Sequence, residues 1–322
     1  MFETVKLAGT ISRAEFILPN LGSLIMGLAW GVSSTIDIAS LVVLLVISFT
    51  VINMSSAIGA QVNTYCDHEL DSRDERKKQL VKAMDSFGRN RLKGLIVAEF
   101  LITAMLVSLF TVILSKPILL AMWLTGILLG WAYSAPPLRL KARSWIAPIV
   151  LILVLAVFPV LFAYFAFAVV VELLFLLSLA GLASTVYGVI VPTEIRDYFG
   201  DKEMGIITMT VRLGPVKASL LGIGLLVIGV ILTETAFFIR FFYEDRPLLI
   251  VFLLPISVAV LYVLAKFREL YLLSKEYARS GGQSSISDRI LNLSANNPRW
   301  IMMVTQAYSL VSIVLLVSKF LV

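Results

Sequence analysis

The chain has one cysteine, Cys66, one histidine, His68, and little charge of either sign. A lone cysteine excludes a disulfide framework and a cysteine-based zinc site. A lone histidine excludes a multi-histidine metal centre. Any bound metal is therefore expected to be a hard cation held by carboxylates. Charged residues make up only 15% of the 322 positions, against 59% hydrophobic. A soluble fold could not cover that much apolar surface with so few charges. The segment Met1–Glu15 carries mixed charges and no short apolar core with a small-residue cleavage site, so the first apolar run is expected to be a retained span.

What the chain does have is a series of apolar windows near the length of a bilayer crossing. They fall at Phe16–Val32, Ile38–Ala60, Leu92–Leu114, Ile118–Tyr133, Ile146–Phe167, Leu173–Ile190, Ala218–Phe238, Leu248–Ala265 and Ile301–Leu321. The expected fold class is an all-α integral membrane protein of about nine transmembrane helices. With the N-terminus placed in the cytoplasm, 23 of the 27 lysines and arginines fall on that side. Only Lys116, Arg240, Arg246 and Lys319 fall on the other. The positive-inside rule then predicts a cell-membrane protein with a cytoplasmic N-terminus and the C-terminus opposite. This bias explains the net charge of +6 without any nucleic acid and suits a surface beside anionic lipid. The stretch Asp74–Gly88 is polar and long enough to move, and Ser280–Ser287 reads as a flexible linker before the last helix. A single membrane domain, 1–322, is expected.

Acidic residues are scarce, and two clusters hold many of them. Asn63, Asp67 and Asp71 recur every four residues at the cytoplasmic end of the second span, so on a helix they share one face. Glu194, Asp197 and Asp201 do the same at the end of the sixth. Asp67 to Asp197 and Asp71 to Asp201 are equal separations, which hints at duplicated four-helix halves, about 16–143 and 146–279, plus a last helix at 299–321. Like charges one turn apart repel unless neutralised. Divalent cations would resolve this and keep coordination sites open for phosphate oxygens, as Mg²⁺ prefers. Pairing with Arg73, Arg76 or Arg196 is the alternative.

After the fourth span comes Tyr133-Ser-Ala-Pro136-Pro-Leu-Arg139-Leu-Lys141-Ala-Arg143. By itself its basic trio reads as a positive-inside anchor. Beside two acidic clusters it reads as a clamp for a leaving diphosphate. Tyr133, Tyr65, Tyr198 and Phe199 are candidates to present ring faces to a carbocation.

The Asn-x-x-x-Asp-x-x-x-Asp, Tyr-Ser-x-x-Pro-x-Arg-Leu-Lys and Asp-x-x-x-Asp motifs, after spans two, four and six, together resemble the UbiA-type superfamily of intramembrane prenyltransferases. The stretch from Ile195 through Gly205 to Gly214 looks especially like the family's second motif. The opening Asn63-Thr-Tyr and the ending Val211-Arg-Leu-Gly look more like the menaquinone-type branch. The resemblance implies nine helices around a central cavity, capped on the cytoplasmic side over the acidic motifs. It implies that Asn63, Asp67, Asp71, Asp197 and Asp201 bind Mg²⁺ and diphosphate, with Glu194 where the family often has Asp or Asn. Arg139, Lys141 and Arg143 would contact the phosphates, with Tyr133 beside them, and Asp67, Asp71 and Asp197 are the candidate catalytic carboxylates. Two features depart from the family pattern. Arg76-Lys-Lys-Gln-Leu-Val-Lys82 stands where many members have an Arg-Pro-rich segment, and Thr64 stands where many have Asp.

The expected activity is transfer of a prenyl group from a Mg²⁺-bound prenyl diphosphate to a lipophilic, aromatic quinone-precursor acceptor. The alternatives are prenyl transfer to a glycerophosphate lipid alcohol, as in archaeal ether-lipid synthesis, and, in another class, a cation-coupled transporter.

Overall fold

The structure is a computed structural model that describes residues 2–72, 74 and 77–320. Its helices run in the order α1 Phe2–Ile11, α2 Ile17–Gly31, α3 Ile38–Asp71, α4 Lys78–Phe87, α5 Arg89–Leu114, α6 Pro117–Ser134, α7 Ile146–Ile152, α8 Phe158–Phe167, α9 Leu173–Glu203, α10 Met209–Tyr243, α11 Leu254–Arg279, α12 Ser284–Ser294 and α13 Asn297–Ser318. A π-helical turn, Leu153–Val157, joins α7 to α8. Among the described residues, eight helical segments are long and apolar enough to cross a bilayer. Each contains one of the expected windows after the first, wholly or in large part. The first window is α2, which at 15 residues spans only about 22 Å. The chain divides into two compact units, Met1–Lys141 with Phe158–Phe167, and Ala142–Val157 with Ala168–Val322.

In the first unit, α3 is the long central element. Asp37 caps its start by accepting from the Ser40 backbone N–H at 2.8 Å, and these hydrogen bonds hold the Asp37 carboxyl below its ordinary value. The core joins Leu24 of α2, Val51 of α3, Phe110 of α5, Trp123 of α6 and Phe162 of α8. Gly27 and Gly31 let α2 meet α8 backbone to backbone. A Cβ at Gly27 would stand 2.3 Å from Val160 O, and one at Gly31 would stand 2.6 Å from Tyr164 O. On α5, Leu101, Met105, Leu109 and Val112 are exposed, a stripe at helical spacing that suits lipid. Between α5 and α6, Lys116 donates to Phe165 O at 2.8 Å and Ala166 O at 3.3 Å. The ammonium thereby caps the carbonyl end of α8, and burial lowers its pKa.

The polar stretch after the first motif is largely helical. Residues 78–87 form α4, whose Ala83, Met84 and Phe87 are buried with Ile11 of α1 and Leu92 of α5. Lys78 and Lys82 are one turn apart and Ala83, Met84 and Phe87 are buried, so α4 is amphipathic, and its apolar side gives it a place to dock.

In the second unit, α9 and α10 are stitched together by small residues. A Cβ on Gly181 of α9 would fall 2.2 Å from Thr233 Oγ1 of α10, and one on Gly229 of α10 would fall 2.1 Å from Thr185 Oγ1 of α9. Each threonine fills the notch left by the other helix's glycine. Thr185 is also 2.7 Å from the Tyr308 hydroxyl of α13. Gly214, at φ 75°, breaks α10 just before Pro215. At the other end of α10, Arg240 donates to Glu172 at 2.8 Å and to Glu244 at 2.7 Å. The expected linker before the last helix shrinks to a turn at Ser280–Gln283, with Gly281 and Gly282 at positive φ. Ser284–Ser294 is helical because Ile286 and Ile290 bury against the unit's core.

Candidate active site

The first acidic face is built on the last turns of α3. Asp67 and Asp71 are 5% and 4% exposed, so each needs a partner. Asn63 Nδ2 donates to Asp67 Oδ2 and to Ser134 Oγ of α6, both at 2.9 Å. Arg13 donates to Asn63 Oδ1 at 3.4 Å. It reaches there from the joint between α1 and α2, where its φ is 51°. Arg139 meets Asp67 Oδ1 at 3.4 Å, and the Lys141 ammonium pairs with Asp67 Oδ2. Lys77 pairs with Asp71 at 2.7 Å. The structure thus brings Asn63, Asp67, Asp71, Arg139 and Lys141 together. It adds Arg13, Ser134 and Lys77, which the sequence reading had not assigned. Ser134 follows Tyr133 in the basic-loop motif, but a hydroxyl beside a tyrosine gives no sign of which helix it will meet. Tyr133 is half-buried at the end of α6.

The second face lies on α9, in the second unit. Glu194 accepts from the Tyr187 hydroxyl at 3.1 Å and from Thr210 Oγ1 at 3.0 Å. Asp197 pairs with its neighbour Arg196 at 3.3 Å, and Asp201 is half-buried one turn on. Behind this face, the backbone N–H of Ser144 donates to Ile207 O at 3.2 Å. The exposed Arg143 is thus anchored beside the loop that follows Asp201. Of the three basic residues read as one clamp, Arg139 and Lys141 belong to the first unit and Arg143 to the second.

The aromatic candidates are partly spoken for. The Tyr65 ring lies under Arg89 at 4.5 Å and Lys93 at 5.5 Å, on the flank of α3 that meets α5. Tyr198 packs edge-on against Phe199, and Phe199 against Tyr277. Lys202 sits over the Tyr198 ring at 5.6 Å.

Among the described residues, no three His, Cys, Asp or Glu side chains form a ready metal-ligand group. The ion pairs give the physical reason, because lysine and arginine engage the carboxylates of the first motif. The donor set is nonetheless all hard oxygen, from carboxylate and amide, which fits Mg²⁺ and not a softer metal.

Long apolar helices that end in carboxylate faces, with guanidinium and ammonium groups close by, define a membrane protein equipped for a polyanionic, metal-binding ligand. Residues 20–278 match the UbiA prenyltransferase family, and the chain belongs to that family. It is a prenyltransferase-family enzyme and a multi-pass integral membrane protein. Its fold is similar to that of a UbiA homologue from Archaeoglobus fulgidus bound to GPP and Mg²⁺, at 18% identity over 93% of this chain and 99% of that one, with a TM-score of 0.61. A digeranylgeranylglyceryl phosphate synthase matches at 15% identity over 97% and 99%, TM-score 0.60. The apo UbiA homologue from Aeropyrum pernix K1 matches at 17% over 90% and 96%, TM-score 0.60. No curated protein matches the chain.

Proposed function

We propose that the protein transfers a prenyl group from a Mg²⁺-bound prenyl diphosphate to an aromatic, quinone-precursor acceptor within the membrane. The observation that carries this reading is the paired first motif, in which Asp67 and Asp71 already stand among the cations a diphosphate would need. The UbiA homologue from Archaeoglobus fulgidus with GPP and Mg²⁺ supports the same ligand pair. Asn63, Asp67, Asp71, Glu194, Asp197 and Asp201 are the proposed oxygen donors to metal. Arg139, Lys141, Arg143 and Tyr133 are the proposed diphosphate contacts. The motif ends are proposed to face the cytoplasm, as the distribution of lysine and arginine requires.

Bound Mg²⁺ supplies Lewis-acid neutralisation of the leaving diphosphate. Arg139 and Lys141 stabilise the oxygens on which charge develops as the allylic C–O bond breaks and its electron pair leaves with the diphosphate. A carbon of the acceptor then bonds to the allylic cation, and the displaced ring proton passes to Asp71 or to the released diphosphate. A glycerophosphate lipid alcohol is the second acceptor class, the chemistry named for one structural neighbour.

The test is binding of geranylgeranyl thiolodiphosphate to the solubilised protein. With Mg²⁺ the analogue is expected to bind at least about 100-fold more tightly than with chelator, as loss of charge-assisted contacts to both phosphates implies. No binding with or without metal, in folded protein, would bring the transporter reading forward. A finer expectation concerns Lys77. Lys77→Met leaves Asp71 without that counter-charge, so Mg²⁺ alone should bind roughly fivefold more tightly, the value of a partly exposed ion pair. Titration of the metal by calorimetry measures this directly.

A further inference from the structure

Outside both motifs, two side-chain amides meet between α2 and α3. Asn20, on the first turn of α2, donates from Nδ2 to Asn53 Oδ1 of α3 at 3.2 Å. Asn53 Nδ2 donates in turn to Phe49 O at 2.9 Å. Asn53 lies mid-helix in a segment long and apolar enough to span the bilayer. Both side chains are only half-buried. Among the described residues, Asn20 Oδ1 and one N–H of each amide have no protein partner. A side-chain amide offers two donors and an acceptor with two lone pairs, so the pair keeps both kinds of capacity unspent.

An isoprenoid chain has no hydrogen-bonding atom along its length. Packing it over these amides would bury polar groups without compensation. The pair is therefore a poor lining for a prenyl tail and a good one for a polar group. It also stands on the flank of α3 that meets the α1–α2 arm, the flank where Arg13 reaches Asn63. Asn53 precedes Asn63 by ten residues, or about 15 Å of helix rise. Asn53 therefore lies well away from the diphosphate motif, toward the middle of the span.

We propose that Asn20 and Asn53 form the acceptor-recognition element, hydrogen-bonding a hydroxyl, carboxyl or phosphate group of the acceptor. The inference rests on the prenyl-transfer reading and adds the residues that select the second substrate. It also separates two tasks along α3, with Asn63, Asp67 and Asp71 handling the diphosphate and Asn53 handling the acceptor.

The test uses Asn20→Leu and Asn53→Leu in solubilised full-length protein, with Mg²⁺ and saturating geranylgeranyl diphosphate. The acceptor probes are 1,4-dihydroxy-2-naphthoate, 4-hydroxybenzoate and geranylgeranylglyceryl phosphate, and the probe that the wild type alkylates is carried forward. Each variant is expected to raise the acceptor KM about tenfold, the value of one lost hydrogen bond. The Kd for Mg²⁺–geranylgeranyl thiolodiphosphate should stay within about twofold of wild type, since the diphosphate contacts are untouched. Asn53→Ser, which keeps a donor and an acceptor, should recover part of the acceptor KM. An unchanged acceptor KM would mean the amides only join α2 to α3, and the proposal would fall. A fall in Tm with parallel weakening of both substrates would overturn it as well. If the wild type alkylates none of the three probes, the prenyl-transfer reading fails first and takes this one with it.

Discussion

Asp67→Ala and Asp197→Ala should each lower turnover by about 10²–10³-fold, the range for removing one transition-state electrostatic contact. Their structural costs should differ. Asp67 is 5% exposed and engages both Arg139 and Lys141, so its removal strands two cations. Lys141 is 18% exposed, and solvent replaces only part of what it loses. Asp197, by contrast, pairs among the described residues with the adjacent Arg196 at 3.3 Å, both side chains about a third exposed, and such pairs contribute little. Asp67→Ala is therefore expected to lower Tm measurably while Asp197→Ala leaves it near wild type. Combining Asp67→Ala with Lys141→Met should recover part of the lost Tm, with Arg139 still unpaired, and none of the turnover. Turnover retained in both single variants would sink the proposed chemistry whatever the Tm values show.

Gly229→Val should destabilise the second unit by about 1–3 kcal/mol, the usual cost of forcing bulk into a filled contact. The first added carbon would meet Thr185 Oγ1 at 2.1 Å and the backbone atoms Gly181 O and Thr185 N at 2.8 Å. A hydroxyl can rotate away, but two backbone atoms of α9 cannot move without separating the helices. Gly224, on the same helix, supplies the contrast, because a Cβ there meets nothing within 4 Å. Gly224→Ala should stabilise slightly, by up to about 1 kcal/mol, since alanine restricts the unfolded chain and favours helix. Paired thermal unfolding of the two variants in one detergent reads both signs. Equal effects would mean that the reciprocal glycine–threonine contact does not hold α9 to α10.

Much of this fold was legible because bilayer spans announce themselves by length and apolarity alone. The windows beginning at Ile38, Leu92, Ile146 and Leu173 each became a helical segment of the expected type. The acidic faces were legible for a related reason, since Asn63, Asp67 and Asp71 need only helical periodicity to align. What stayed hidden was tertiary partnership. Nothing near Arg13 in the chain says that it will reach Asn63, fifty residues on, because that contact exists only once the α1–α2 joint packs on α3. Tyr65 read as a ring facing the chemistry, yet its position in the helix turns it to Arg89 and Lys93. Local composition also misled at Ser284–Ser287, where serine and glycine suggested a linker. The spacing of Ile286 and Ile290 instead supplied an apolar face, and burial outweighed the weak helix propensity of serine.

The lysine and arginine partners of the first motif bear on how the enzyme is made. A membrane helix that ended in bare buried carboxylates would resist leaving water during insertion. With Arg139 and Lys141 on Asp67, and Lys77 on Asp71, the newly folded chain brings its own counter-ions. Biogenesis then needs no metal at the moment of assembly, and chelated enzyme should stay intact and reloadable. On the proposed function, the same arrangement makes the metal compete with these cations for Asp67 and Asp71, so an ion that arrives already bound to a diphosphate, with phosphate oxygens to offer the displaced cations, is the better competitor.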